Sequence, residues 1–548
     1  MAYAGEIAPI IAGQGGFNGS QNYDQIPVTD LIECKHIRFD NGTWTRAGGF
    51  AYYDSAAVTG APTCLGGIDY WSNSSTQQQV TAWNTGIVYK SSSTNLDAVE
   101  LVNSLSLNAA PAIFVPSGEE VTGNNKKLLM FSQGVVPQVL NAAGVTMANL
   151  AYPSIDWSGA NQPMAAVPHD RRLVAWGNQN ARHALYFSAI DNHENFLRYD
   201  PANISSELLP SIDINPGEGD EIRGAISMGT TRLFVFKYPA GIYFVDTTSI
   251  TSYFTPVTTV RTDIGLAGPA AITKVGGLGT WFIGADGHIY SLEMISNPDI
   301  DPLDASITAK MQLNKWINDN VNLTRAKWFR LIYDNSRKEV WAIYSSSSAT
   351  SNDLALIIDV RDPSNPKVSV DQRGNFYNAA WVSRNSATQK QNLLLAGTSG
   401  RSYVANDDDN VIGTSTPYTS TLRIPDTDFS WYNSKLGSYS KRFDWFELVY
   451  NGVATSTLNI DTYIDGIYYK TYTTTIGTDQ YTLGVGSANP FILGTATLYA
   501  AGISKKKIKI GGLGKRFGFR LRSNNINDDF NVSRIFVHFS PQDTLGEN

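Results

Sequence analysis

The sequence predicts an all-β protein: a β-propeller of about six or seven blades over residues 70–412, then a β-sandwich over 413–548. Three observations predict it. Charged residues are 17% of the chain and aromatics 11%, with 27 Tyr and 12 Trp, a composition that suits half-buried pleated surfaces. The 47 Gly and 23 Pro supply the turns that many short strands need. Apolar alternating runs meet at Gly, Asn or Ser turns, a hairpin pattern that appears seven times. At 548 residues the chain exceeds what one core supports, so more than one domain or a repeat architecture is expected.

Residues 1–69 read as a Gly/Asn-rich, irregular segment tied to the propeller by Ile37, Phe39, Trp44 and Phe50. The hairpins then follow: Val80 to Tyr89, Lys127 to Leu140, Arg172 to Ser188, Arg232 to Val245, Thr280 to Leu292, Lys338 to Val360, and Asn392 to Val404. They start roughly 45 to 60 residues apart, close to what a four-stranded blade consumes. A lone hairpin cannot bury both faces, so each must stack on neighbours. Asp304 to Asn322 breaks the pattern and predicts one short helix around 304–320, capped by Asp304 or Ser306, with Ile307, Met311 and Ile317 on one stripe. After the Ser/Thr/Pro-rich joint of 413–421 come longer strands: Phe443 to Tyr450, Thr457 to Ile464, Ile467 to Thr475, Lys506 to Ile510, Arg516 to Arg522 and Arg534 to Phe539. Asp465-Gly466 between two of them is a hairpin signal.

Chemistry is sparse. The six His form no HExxH, HxH or His/Cys cluster, so no metal is expected. Cys34 and Cys64 lie in no CxxC pair and read as buried thiols. Asp40-Asn41-Gly42-Thr43-Trp44 approaches a sialidase Asp box, but Arg38 stands where Ser should and Trp44 arrives one residue early; it reads as a turn with a buried Trp. There is no GxSxG elbow and no P-loop. The acidic run Asp407 to Asp409 lacks EF-hand spacing and reads as a solvated linker. No cofactor and no enzyme activity are expected.

The net charge of −7 and pI near 5.5 argue against tight phosphate binding. The only basic concentration is Lys505, Lys506, Lys507, Lys509, Lys515, Arg516, Arg520 and Arg522. Strand alternation points some of these one way, making a basic face that reads first as a solvated surface, with contact to an acidic neighbouring subunit and then DNA as the alternatives. The N-terminus is a poor secretory signal and no apolar run reaches about 20 residues, so a soluble chain made in the cytoplasm, without membrane insertion, is expected.

Four stretches together resemble the tail nozzle, or tail tubular B, proteins of podoviruses, also called DNA-stabilisation proteins of short-tailed phages. The first is Cys34 to Phe50, where Arg46 and Gly48 form an Arg-x-Gly ahead of Gly49; the family usually has Pro at the position of Ala47. The others are Arg171 to Phe196, then Arg232 to Phe236 with Ile264 to Pro269 and Trp281 to Leu292, then Lys441 through Gly466 with Phe517 to Phe539. The resemblance implies a virion structural protein assembled in the host cytoplasm, a homo-hexameric ring below the tail adaptor. It would extend and gate the conduit through which duplex DNA leaves without specific binding, with tail fibre or needle proteins as further partners. Two other classes compete: a propeller glycosidase or lyase, and a host-receptor-binding tail protein.

Overall fold

The computed structural model describes residues 5–20, 26–54, 56–72, 77–92, 95–107, 110–121, 125–141, 144–154, 156–197, 199–200, 203–207, 211–216, 220–248, 257–297, 299–384, 390–407, 411–413, 415–451, 455–477, 480–482, 497–499, 504–526 and 528–542. Strands account for 52% and helices for 7%, so the fold is all-β.

Small antiparallel sheets succeed one another along the chain. The first is Cys64–Trp71, Gln77–Trp83, Val88–Ser92 and Asn95–Val102, each strand paired with the next. Like sheets occupy 113–149, 165–213 and 221–261, and a three-stranded one occupies 272–291. Arg330–Asp334, Glu339–Tyr344, Leu354–Asp359 and Lys367–Asp371 make the sixth. The seventh is Ala379–Arg384, Gln391–Ala396 and Ser402–Asp407, completed by Gly49–Tyr52 from the other end of the sequence, with Ala405 opposite Phe50. The seven expected hairpins are the second and third strands of these sheets. First strands of successive sheets touch: Cys64–Trp71 meets Ile113–Val121, which meets Ala165–His169, which meets Glu221–Ser227; Ile272–Val275 meets Arg330–Asp334, which meets Ala379–Arg384, which meets Cys64–Trp71. Leu266 links the fourth and fifth sheets, since a Cβ on Gly224 would strike its Cδ2 and its backbone bridges to Gly284, next to Gly279–Ile283.

The stretch 1–69, expected to be irregular, carries strands, and most of them join the C-terminal sheets. Glu6–Ile11 and Trp44–Arg46 pair with Asn531–Gln542, and Glu33–Lys35 pairs with Ser420–Arg423. These belong to two facing sheets. One holds Ile37–Arg38, Trp44–Arg46, Asn531–Gln542, Ser440–Tyr450 and Ser504–Gly514, plus Glu6–Ile11. The other runs Glu33–Lys35, Ser420–Arg423, Phe517–Ser523, Ser456–Ile464, Ile467–Ile476. Phe443 meets Phe517 at 5.1 Å between ring centroids and Phe446 meets Phe519 at 4.9 Å, so apolar side chains fill the space between the sheets. The second sheet continues into the sixth small sheet, where Lys35 pairs in parallel with Val370. Hydrogen bonding therefore crosses the joint at 413. Asp465 (φ 52°) and Gly466 (φ 80°) make the tight turn between Ser456–Ile464 and Ile467–Ile476, as the Asp-Gly pair predicts.

The helix expected near 304–320 is three short ones, Pro302–Ala305, Ile307–Lys310 and Asn314–Asn320. Asp301, not Asp304, caps the first, accepting the Leu303 N–H at 2.8 Å. Ser306 takes extended backbone (φ −79°, ψ 120°), bridges to Tyr290, and caps the second. Gln312 at φ 58° interrupts the run again. Helical periodicity in the sequence did not register these two breaks, because both are made by local backbone geometry and a cross-strand bridge.

Candidate interface on the C-terminal sheets

The basic residues divide between two sheets. Along Ser504–Gly514, Lys505, Lys507 and Lys509 point outward while Ile508 and Ile510 point into the core, and Lys506 lies on the inner side. Lys505 and Lys507 close on Glu447 of the neighbouring strand at 3.2 and 3.4 Å. Burial raises the Glu447 carboxyl, and the two ammonium groups more than offset this, holding it below its ordinary range. Arg520 and Arg522 belong to the facing sheet. Both grip Asp461, with Nε–H to Oδ2 at 2.9 and 2.8 Å and Arg522 Nη2 to Oδ1 at 2.7 Å. Lys515 and Arg516 sit at the turn, where their N–H groups both donate to Asp465 Oδ1 at 2.8 Å. The eight cations therefore form no single face. Three lysines share one, and the arginines of the other sheet are neutralised by Asp461 and Glu33.

Strand register orders the lysine face into three rows. Ile7, His538, Trp445 and Lys509 stand side by side; so do Pro9, Phe536, Glu447 and Lys507; so do Ile11, Arg534, Val449 and Lys505. Each row is apolar at the Glu6–Ile11 strand and cationic at the Ser504–Gly514 edge. Sequence reading found the lysines by local density. It missed the apolar half, because Ile7, Pro9 and Ile11 lie some five hundred positions away.

Arg46, Gly48 and Gly49 sit where the first strands cross to the last. The Arg46 guanidinium donates to the carbonyls of Asn525 (2.8 Å), Tyr418 (2.7 Å) and Asp528, with the Tyr418 ring 4.3 Å away. The Gly48 carbonyl accepts from Arg373 Nη1 at 2.5 Å, and Gly49 opens the strand of the seventh sheet. Arg373 also binds Asp371, and both are fully buried. Burial pushes the Asp371 carboxyl up, but Arg373 and the Tyr377 hydroxyl overcome this and keep it ionised well below the usual carboxylate range.

His36 completes the cluster. Its Nδ1–H donates to the Thr419 carbonyl at 2.6 Å and its Nε2 accepts the Gln372 N–H at 3.1 Å, so the neutral ring satisfies both neighbours. Burial, opposed by Asp371, draws its pKa down to about 3. A histidine lowered in the folded state binds its proton more readily when unfolded, so stability present above pH 6.5 is lost as pH falls toward 3. The expected loss from this ring is about 3 kcal/mol at pH 4. Burial also lowers His169, His288 and His538, which adds to the same slope. Urea unfolding at pH 7 and pH 4 checks it, and His36→Asn should flatten the difference. Asn also tolerates the backbone there (φ 56°).

Other candidate chemistry is committed to structure. Among the described residues no group of three or more His, Cys, Asp or Glu is arranged to hold a metal. Cys34 and Cys64 are buried free thiols, and burial pushes Cys64 up to about 12. Asp40–Gly42 is a single 3-10 turn followed by the fully buried Trp44, and Asp40 pairs with Arg361 at 2.6 Å. A cavity of about 870 Å³ holds Asp30 and Glu293 beside Trp281. Glu293 is taken up by the Thr280 N–H at 2.8 and 2.9 Å, and Asp30 accepts from Asn18 at 2.9 Å. Asp407 ends its strand in register with Gly49, while Asp408 and Asp409 lie outside the described residues. No described helix is long and apolar enough to cross a membrane. No protein-family model and no curated protein matches the chain.

Proposed function

We propose that the chain is a structural subunit of a short-tailed phage tail, a ring-forming nozzle component that lengthens and gates the DNA ejection conduit. In this reading the seven small sheets are blades arranged around an axis, with Gly49–Tyr52 closing the last blade and the C-terminal sheets forming a sandwich beside it. The contacts between successive first strands support that arrangement. The observation that carries the functional reading is where the ionisable groups go. Arg373 on the Gly48 carbonyl, Arg38 with Glu339, and Arg46 on three carbonyls all weld distant segments together. The outward sheet face, by contrast, presents apolar side chains and lysines. Such a division suits a scaffold that is rigid inside and adhesive outside. The four resembling segments, in chain order, point to the same family, and a net acidic chain suits a conduit that must release a polyanion.

Native mass measurement and electron microscopy of the purified protein test this. Six subunits in a ring with a hole wide enough for duplex DNA are expected. A trimer would indicate a receptor-binding tip instead, and a monomer at all concentrations would refute the ring.

A further inference from the structure

The lysine face is open around a buried middle: Glu447 and Val449 are covered, while the apolar and lysine positions around them are exposed. Ile7 is 47% exposed, Ile11 40%, Trp445 43% and Leu513 64%, all on the same sheet. Single exposed apolar residues are ordinary, but here Ile7 and Trp445 share the first of the three rows and Ile11 opens the third, and each row ends in a lysine. Lysines on an edge strand also discourage stray pairing, which accounts for the cations alone. It does not account for the isoleucines and tryptophan beside them.

We infer that this face docks on the acidic small sheets, residues 47–412, of a second copy of the chain, head to tail. Two physical arguments select that occupant. The face is not self-complementary: laid against its own copy, the lysine edge meets either lysines or isoleucines, and both are unfavourable. The contact is therefore heterologous, the kind that generates a ring when its rotation closes and a filament when it does not. The complement lies within the same polypeptide. Residues 1–46 and 413–548, whose strands build the two C-terminal sheets, hold 17 Lys and Arg against 16 Asp and Glu, whereas residues 47–412 hold 25 against 33. A lysine face on the C-terminal sheets and an acidic excess on the small sheets give successive copies a fixed polarity. This rests on the ring reading above and adds which surface makes the ring.

The test uses the full chain. Lys505→Glu/Lys507→Glu/Lys509→Glu should weaken association by about tenfold or more. Glutamate guards an edge as well as lysine does, so a mere guard role would leave assembly unchanged. Because two of those lysines touch Glu447, Lys509→Glu/Leu513→Ser is the second variant, and it should weaken assembly with the melting temperature held. Zero-length carbodiimide coupling of mixed ¹⁴N and ¹⁵N protein should join Lys505, Lys507 or Lys509 to carboxylates within residues 47–412 of another copy. If wild-type rings form and both variants form them equally well, the inference fails while the ring reading stands. Couplings confined to one copy would have the same meaning. A wild type that never associates overturns both. Wild-type binding to duplex DNA, lost in the variants while rings persist, would make nucleic acid the partner and overturn the inference.

Discussion

Arg373→Ala should destabilise the protein by about 3–5 kcal/mol, the usual cost of stripping one partner from a buried ion pair. Asp371 and Arg373 are both fully buried, so the remaining carboxylate keeps only the Tyr377 hydroxyl and a neutral His36 nearby. The Gly48 carbonyl loses its donor, and the Phe50 ring, 3.9 Å from the guanidinium carbon, loses its cation. Removing both charges in Arg373→Ala/Asp371→Ala should cost less than the sum of the single changes, because no unpaired charge is left buried. Urea denaturation measures it, and an unchanged midpoint for Arg373→Ala would contradict the account. Arg46 shares the Tyr418 ring with Arg373, so substitutions at these two should be strongly non-additive.

Arg330→Ala should have an effect of similar size, about 3–5 kcal/mol, by a different route. Arg330 is buried with its Nε–H on the Asn378 carbonyl and Nη2 on the Leu65 carbonyl, both at 2.6 Å. It thereby links the first strand of the sixth sheet to residues of the seventh and the first. Burial draws its pKa down to about 10, since no carboxylate compensates the charge. Truncation opens a cavity, takes the Arg330 donor from the Asn378 carbonyl and leaves the Leu65 carbonyl with the Ala112 N–H alone. Arg330→Lys should not restore stability, because a single ammonium cannot reproduce the guanidinium fork. Thermal unfolding of the three proteins separates these outcomes: a lysine variant as stable as wild type would show that charge, not geometry, matters at this junction.

The strands were largely legible in the sequence. Predicted Phe443 to Tyr450 is found as Ser440–Tyr450, and predicted Thr457 to Ile464 as Ser456–Ile464. Alternation with period two survives wherever one face is buried and the other is not. The first strands of the small sheets were missed more often. Glu221–Ser227 and Ala165–His169 are flanked on both sides, and their residues follow no simple alternation. The candidate face was half legible: local repetition displays Lys505, Lys507 and Lys509, but nothing local to Ile7 or Trp445 says that they lie in the same row.

By itself the amino-acid sequence determined the all-β class, the hairpin turns, the absence of local metal or nucleophile motifs, and the places where charge concentrates. These depend on residues close together in the chain, through turn chemistry and side-chain period. Only the tertiary structure decided that Glu6–Ile11 and Trp44–Arg46 complete a C-terminal sheet, that Gly49–Tyr52 completes the seventh, and that Arg520 and Arg522 serve Asp461 while the lysines face out. Such pairings join segments hundreds of residues apart. Their energy comes from matching edges and burying shared charges, a property of two surfaces together that neither segment carries alone.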